Sequence, residues 1–420
     1  MNGLNIKRNT LSIKISLYWF TAFYLNMDML EDMIKTAYVL LAHREPFYLL
    51  NILFSLIGSG AALCTMLCRK VDIKFITITF SLFALYAVSL LITPEISVIL
   101  KTSIVRSVIY LLLLLYLMSQ ISDVGLLFNF FIPYVYLGVL YTLLSYLAHD
   151  TPLMEETHYM EFTYNTMIPM LTVFVIAFYG RSVRGMKRPF ALLFFGFFFA
   201  ANIAMGGRAT LLCVGLCFLM LLYFQKLKRK QIFVSVAVIA LGLVVAFHYD
   251  SFNFFLTTLF PDSRTVQRMQ NGELLNTETS TRMRIYKYIL LSFMEHPFAI
   301  RGLLSDRVYI AKLFGDTAPK EVYGWYAHNF VLELLFQFGV MAIPIITAFL
   351  CGFVNTAANV KKSNNTSLKR VFLISSAYCI GQLSVSASYL TAKSFAFLLG
   401  ILLYMGKPEK RRAYENSARL

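Results

Sequence analysis

Runs of about 20 predominantly apolar residues, the length that crosses a hydrocarbon core, recur along almost the whole chain. They fall near 13–30, 47–68, 74–92, 104–120, 123–147, 166–180, 189–206, 209–225, 231–248, 328–354, 371–388 and 391–406. This pattern predicts an all-α, polytopic transmembrane bundle of about 12 spans. Two polar stretches are longer than the tight turns between the other runs. One is HDTPLMEETHYMEFTYN, residues 149–165, which holds no lysine or arginine. The other runs from Asp250 to about Ala327, and a loop of that length is functional more often than incidental.

The chain therefore divides into spans 1–9 over residues 1–248, a large outer loop over 249–327, and spans 10–12 with a basic tail over 328–420. Within the loop, TETSTRMRIYKYILLSFMEHPF reads as an amphipathic helix. Ser280 or Thr281 can cap it, Ile285, Tyr288, Ile289 and Phe293 share one face, and Pro297 closes it. It is too short to span and is expected to lie on, or fold back over, the outer end of the bundle. In the tenth run Asn329, Glu333 and Gln337 are four residues apart, so they form one polar stripe facing the protein interior rather than lipid.

Composition supports the membrane reading. Hydrophobic residues make up 58% of the 420 positions and charged residues 14%, far from the mix of a soluble domain. The net charge of +16 does not point to nucleic acid, because of where the charge falls. Placing the N-terminus inside assigns more than half of the 38 basic residues to cytoplasmic pieces, among them RSVRGMKR from 181, KLKRK from 226 and KPEKRR from 407. By the positive-inside rule both termini are expected in the cytoplasm. The first span reads as retained rather than cleaved. The six cysteines are scattered, and no histidine accompanies the pairs Cys64/Cys68 and Cys213/Cys217. They read as packing residues, with no metal site and no disulfide framework.

Ionisable groups near the outer ends of the spans are the candidates for chemistry, since burying charge at membrane depth is costly. Arg208, in MGGRATLL, sits between two spans joined by almost no loop, where it can bind an anion or snorkel to the interface. Arg282 and Arg284 open the amphipathic helix, where free backbone N–H groups and the helix dipole already favour a phosphate. Their planar guanidinium forks match phosphate oxygens. His328 opens the tenth run and can take a proton from an alcohol near neutral pH. The acidic stretch NMDMLEDM, with Asp28, Glu31 and Asp32, loosely resembles the acidic first outer loop of metal-dependent lipid-phosphate sugar transferases, and that resemblance implies an alternative site using a metal.

The segment HNFVLELLFQFG resembles the HNxxLxxLxxxG signature that opens a late span in the O-antigen polymerase and O-antigen ligase family, through His328, Asn329, Leu332, Leu335 and Gly339. TRMRIYKYILLSFMEHPFAIRG and MGGRATLL resemble the arginine-led helix and the short arginine turn of the same family. The chain departs from it at Ile300, where relatives often have a glycine, and at Tyr288, where tryptophan is common.

The resemblance implies a GT-C-like fold and a glycosyltransferase of the bacterial cytoplasmic membrane. Its substrates would be polyprenyl-diphosphate-linked oligosaccharides, transferred with inversion and with no nucleotide or other cofactor. Arg208, Arg282 and Arg284 would hold the diphosphate, and His328 would be the general base, supported by Asn329 and Glu333. The bilayer is then a partner and a chain-length regulator a candidate one. Polymerase is the leading reading, ligase the first alternative, and a transporter or flippase of lipid-linked sugar the second.

Overall fold

The computed structural model describes residues 17–42, 71–100, 103–148, 158–179, 182–204, 208–225, 281–314, 326–385 and 387–404, with six further positions between 56 and 66. Among these residues regular structure is helical, apart from one isolated bridge between Val183 and Met186. The helices are α1 (17–25), α2 (Met27–Ala42), α3 (Ile73–Ile92), α4 (Ile96–Leu100), α5 (Ser103–Gln120), α6 (Leu127–Ala148), α7 (His158–Phe178), α8 (Arg188–Ala204) and α9 (Arg208–Phe224). They continue with α10 (Thr281–Glu295), α11 (Ser305–Leu313), α12 (Phe330–Phe338), α13 (Ala342–Lys362), α14 (Thr366–Val385) and α15 (Lys393–Tyr404).

Among the described residues, four stretches are long and apolar enough to cross a membrane by length and composition: Ile73–Ile92, Val124–Ala148, Glu161–Phe178 and Phe330–Lys362. α3 shows why. Asp72 caps it by accepting from the Lys74 amide at 3.0 Å, and beyond Lys74 the helix carries no charge. Its Leu91 and Phe80 are 83% and 75% exposed. A face of that kind is stable against lipid, where the helix satisfies its own backbone groups.

The helices coincide with most of the apolar runs, with two differences. Helix α7 starts at His158, so Glu161, Tyr164 and Asn165 are helical rather than part of an outer loop. Asn165 finds a partner there by donating to Asp32 of α2. The first run breaks at Asn26, whose Nδ2 turns back to the Ala22 carbonyl at 2.8 Å, and NMDMLEDM forms the start of α2 rather than an outer turn. The run at 231–248, most of that at 47–68, loop residues 249–280 and the basic tail lie outside the described residues.

The described end of the long loop is fastened to the bundle. Ile285 and Ile289 of α10 are buried against Ile310, Ala327 and Phe336, and removing such a side chain from water contributes about 1.5–3 kcal/mol. The turn after α10 then docks where α12 ends. The Val340 amide donates to the Pro297 carbonyl at 2.7 Å, and the Arg301 and Gly302 amides donate to the Gln337 carbonyl at 2.9 and 3.0 Å. Gly339 has φ +56°, and a Cβ there would collide with the Pro297 carbonyl oxygen, so the break between α12 and α13 needs glycine. On the other side of the turn, Thr93 Oγ1 donates to the Arg301 carbonyl at 2.8 Å and the Leu303 amide donates to Ser89 Oγ at 2.7 Å. Ile300 is half exposed and keeps a negative φ, so the turn needs no glycine at that position.

Candidate functional site

His328 stands just before α12, held with φ +52°. A non-glycine residue in that region carries strain of order 1–3 kcal/mol and persists only where its surroundings impose it. Three contacts do so. Asn329 caps α12, its Oδ1 accepting from the Val331 and Leu332 amides at 3.0 and 3.2 Å. The Asn329 Nδ2 donates to the Ser384 carbonyl of α14 at 3.2 Å. The Tyr326 ring lies against the imidazole, with centroids 3.9 Å apart. Among the described residues, Nδ1 of His328 is buried and has no hydrogen-bond partner.

The imidazole sits in a positive field. Burial, Arg282 and Arg307 together hold it down to about 3, so it is neutral, with a lone pair available, at any physiological pH. Arg282 is the first arginine of α10 and is exposed. Arg284, also exposed, packs its guanidinium carbon over the Phe314 ring at 4.9 Å. Arg307 of α11 lies over the Tyr326 ring at 5.0 Å and is buried. The α9 helix begins at Arg208, and its start is tied down two residues later, where Thr210 Oγ1 donates to Asn202 Oδ1 at 3.0 Å. The side chain of Arg208 is outside the described residues.

The polar stripe of α12 points inward, with Glu333 and Gln337 fully buried. Ser388 donates to Glu333 Oε1, while Gln337 Nε2 donates to Asp306 Oδ1 at 2.8 Å. Tyr389 donates to Gln337 Oε1 at 2.6 Å, and the Ala327 amide donates to Asp306 Oδ2 at 3.3 Å. Burial pushes the Asp306 carboxyl up, opposed by the neighbouring Arg307. No hydrogen bond joins Glu333 to His328 among the described residues; the stripe instead clamps α11 and residue 327 against α12 and the segment after α14. Glu333 Oε2 is also without a hydrogen-bond partner among the described residues.

Arg282, Arg307 and His328 are thus gathered from three elements. Arg307, Tyr326 and Asp306 were not singled out from sequence. The available signal was the adjacent acid and base in LLSDRVYI, a charged pair inside a short apolar stretch. Arg301, equally unremarked, has a role in the scaffold. It donates to the Phe336 carbonyl at 3.2 Å and to Ser292 Oγ at 2.9 Å, and it packs over the Phe336 ring at 4.6 Å.

Residues 189–347 match the family model described as O-Antigen ligase. That match, which contains every residue of the site except Ser384, Ser388 and Tyr389, supports membership of the O-antigen ligase and polymerase family, whose members are glycosyltransferase-like enzymes acting on lipid-linked glycans. No curated protein and no solved structure matches the chain.

Proposed function

We propose that this multi-pass protein polymerises polyprenyl-diphosphate-linked oligosaccharide repeats into surface polysaccharide, O-antigen or capsule, at the outer face of the bacterial cytoplasmic membrane. The observation that carries the reading is a buried, neutral imidazole whose Nδ1 has no partner among the described residues, in the field of two arginines from different helices. A hydroxyl nucleophile needs an acceptor for its proton, and a diphosphate leaving group needs fixed positive charge. The two requirements meet at His328.

In this mechanism Arg282 and Arg307 grip the diphosphate oxygens, with Arg284 and Arg208 completing the cationic rim. The acceptor hydroxyl oxygen attacks the anomeric carbon as its bond to the diphosphate oxygen breaks. The electron pair leaves on the polyprenyl diphosphate, and the hydroxyl proton passes to His328. Displacement from the opposite face inverts the anomeric carbon. Diphosphate binding also offsets the arginine charges, so the imidazole becomes more basic when the donor is present. Asn329 and the Glu333 network contribute by holding the strained backbone at His328 in place.

The purified protein, incubated in detergent with lipid-linked oligosaccharide, is expected to lengthen the glycan, and His328→Ala to abolish lengthening. A flippase has no membrane to act across in that assay, so an inactive wild type whose protein moves lipid-linked sugar in vesicles would replace this reading with transport. The ligase description of the matched family favours one second reading, transfer of the finished glycan to a lipid core. A deletion strain separates the two. Loss of a polymerase leaves single repeats on the surface, whereas loss of a ligase leaves long chains on carrier lipid.

A further inference from the structure

A polar cavity of about 430 Å³ lies between α2, α5, α7, α14 and α15, and none of the arginines nor His328 lines it. Its size is that of a small-molecule site. It lies close to His328 along α14: Gln382 on its wall is two residues from Ser384, whose carbonyl holds Asn329. Past α14 the chain bonds Glu333 and Gln337 through Ser388 and Tyr389, then lines the cavity with Thr391 and Lys393. Gln382 and Ser384 on one side, and residues 388–393 on the other, are therefore shared between this cavity and the site at α12.

The lining chemistry differs from that of the arginine site. Asp28, Glu31, Asp32 and Glu161 face two ammonium groups, Lys35 and Lys393. Each ammonium is engaged: Lys35 with Glu31 at 2.7 Å and Asp32 at 3.7 Å, Lys393 with Asp28 at 2.6 Å. With both ammonium groups already paired, the described wall offers no free cation to a diphosphate. What such a wall offers is several carboxyl and amide groups for hydrogen bonds, with Asn165 already orienting one of them by donating to Asp32.

One further acceptor is present and unused. Asn26 is 2% exposed and lines the cavity; its Nδ2 is spent on the Ala22 carbonyl, while its Oδ1 has no partner among the described residues. A buried amide oxygen without a donor is unfavourable unless a ligand supplies one. Tyr110, Tyr164 and Tyr378 also border the space, and aromatic side chains can pack on the C–H side of a pyranose. Several hydrogen-bonding groups, a buried amide oxygen without a partner among the described residues and three bordering tyrosines together fit a polyol without negative charge.

We propose that this cavity is a saccharide subsite, holding uncharged sugar residues of the acceptor glycan while its reactive hydroxyl reaches past Ser384, Ser388 and Tyr389 to His328. The assignment rests on the glycosyltransferase reading above. It divides labour between a cationic site for the diphosphate and an acidic one for the sugars.

The test uses the full chain in detergent and two probes: the lipid-free oligosaccharide repeat released by mild acid from the cell's own polysaccharide, and polyprenyl diphosphate carrying no sugar. The oligosaccharide is expected to bind the wild type, and Asp32→Asn with Glu161→Gln to weaken it at least tenfold. The same pair should raise KM for acceptor with kcat retained and leave polyprenyl diphosphate binding unchanged. Arg282→Ala should do the reverse, losing polyprenyl diphosphate and keeping the oligosaccharide. Unchanged oligosaccharide affinity in the carboxamide variants overturns the subsite while the arginine site stands. A wild type that binds neither probe overturns both. Unfolding temperatures verify that the variants fold, and where Asp32→Asn does not, Glu161→Gln alone decides between these outcomes by the same affinity measurement.

Discussion

Gln337 donates to Asp306 across 2.8 Å, and this one bond joins the buried polar stripe of α12 to the helix that carries Arg307. Gln337 also accepts from Tyr389 at 2.6 Å, so three elements meet at one amide.

Replacing Gln337 by leucine leaves a carboxylate oxygen and a phenol buried without their partner, a loss of about 1–3 kcal/mol for each group. The unfolding midpoint in detergent is expected to drop accordingly. Glycan lengthening should drop further than stability alone explains, because Arg307 and residue 327 are set by the same clamp. A variant with normal melting and normal activity would show that the clamp does not position the site.

Gly339→Ala is expected to be among the more damaging single changes outside the site. Its φ of +56° with ψ −138° lies in a sparsely populated region that costs an L side chain about 1–3 kcal/mol, and the added methyl meets the Pro297 carbonyl. Relief requires the turn that follows α10 to lift from α12. Limited proteolysis between residues 296 and 304 should accelerate, with Gly302→Ala, at φ +87° against Ser89, behaving alike.

Removing the positive charge of Arg282 should raise the His328 pKa from about 3 toward its ordinary value, since a neighbouring cation disfavours the imidazolium. Histidine NMR of Arg282→Gln measures this directly. Arg284→Gln, whose guanidinium is over Phe314, should move it much less. Equal shifts in the two variants would contradict the arrangement of α10.

The same depression links stability to pH. The folded protein binds the His328 proton less readily than the unfolded chain, so its contribution to stability is complete above about 6.5 and is lost as pH falls from there toward about 3. Arg282 and Arg307 face the ring as cations, with Glu333 and Asp306 deeper in the stripe. Melting temperatures of the wild type should fall more steeply between pH 7 and pH 5 than those of His328→Asn. Parallel curves would refute the depression.

Asn329→Ala removes the α12 cap, worth about 0.5–2 kcal/mol, and loosens the backbone that holds His328. Asn329→Asp keeps the acceptor for the Val331 and Leu332 amides and should retain most of the activity. If the aspartate variant fails as badly as alanine, the donation to Ser384 matters more than capping.

Much of the molecule is legible in the order of its residues. Apolar length sets where helices α3, α5, α6, α8, α9, α14 and α15 run, because a side chain facing lipid is chosen by its own hydrophobicity, with little help from its neighbours. The four-residue spacing of Asn329, Glu333 and Gln337 likewise implies one inward face, since helical geometry alone puts them there. The amphipathic α10, with Ile285 and Ile289 turned inward, follows from the same periodicity.

Other features depend on residues far apart in the chain. Glu333 is read naturally as a partner of His328, yet its hydrogen bonds go to Ser388 and Gln337. Local spacing can say that a carboxylate is buried, whereas its partner is whatever a segment 55 residues away brings within reach. Arg307 beside Tyr326, and the acids of α2 facing Glu161 and Lys393, arise in the same way. Hydrophobic length and helical period are properties of contiguous sequence and need no fold to be read. Electrostatic and hydrogen-bond partnerships fall off within a few ångströms, so they exist only once packing has brought distant helices together.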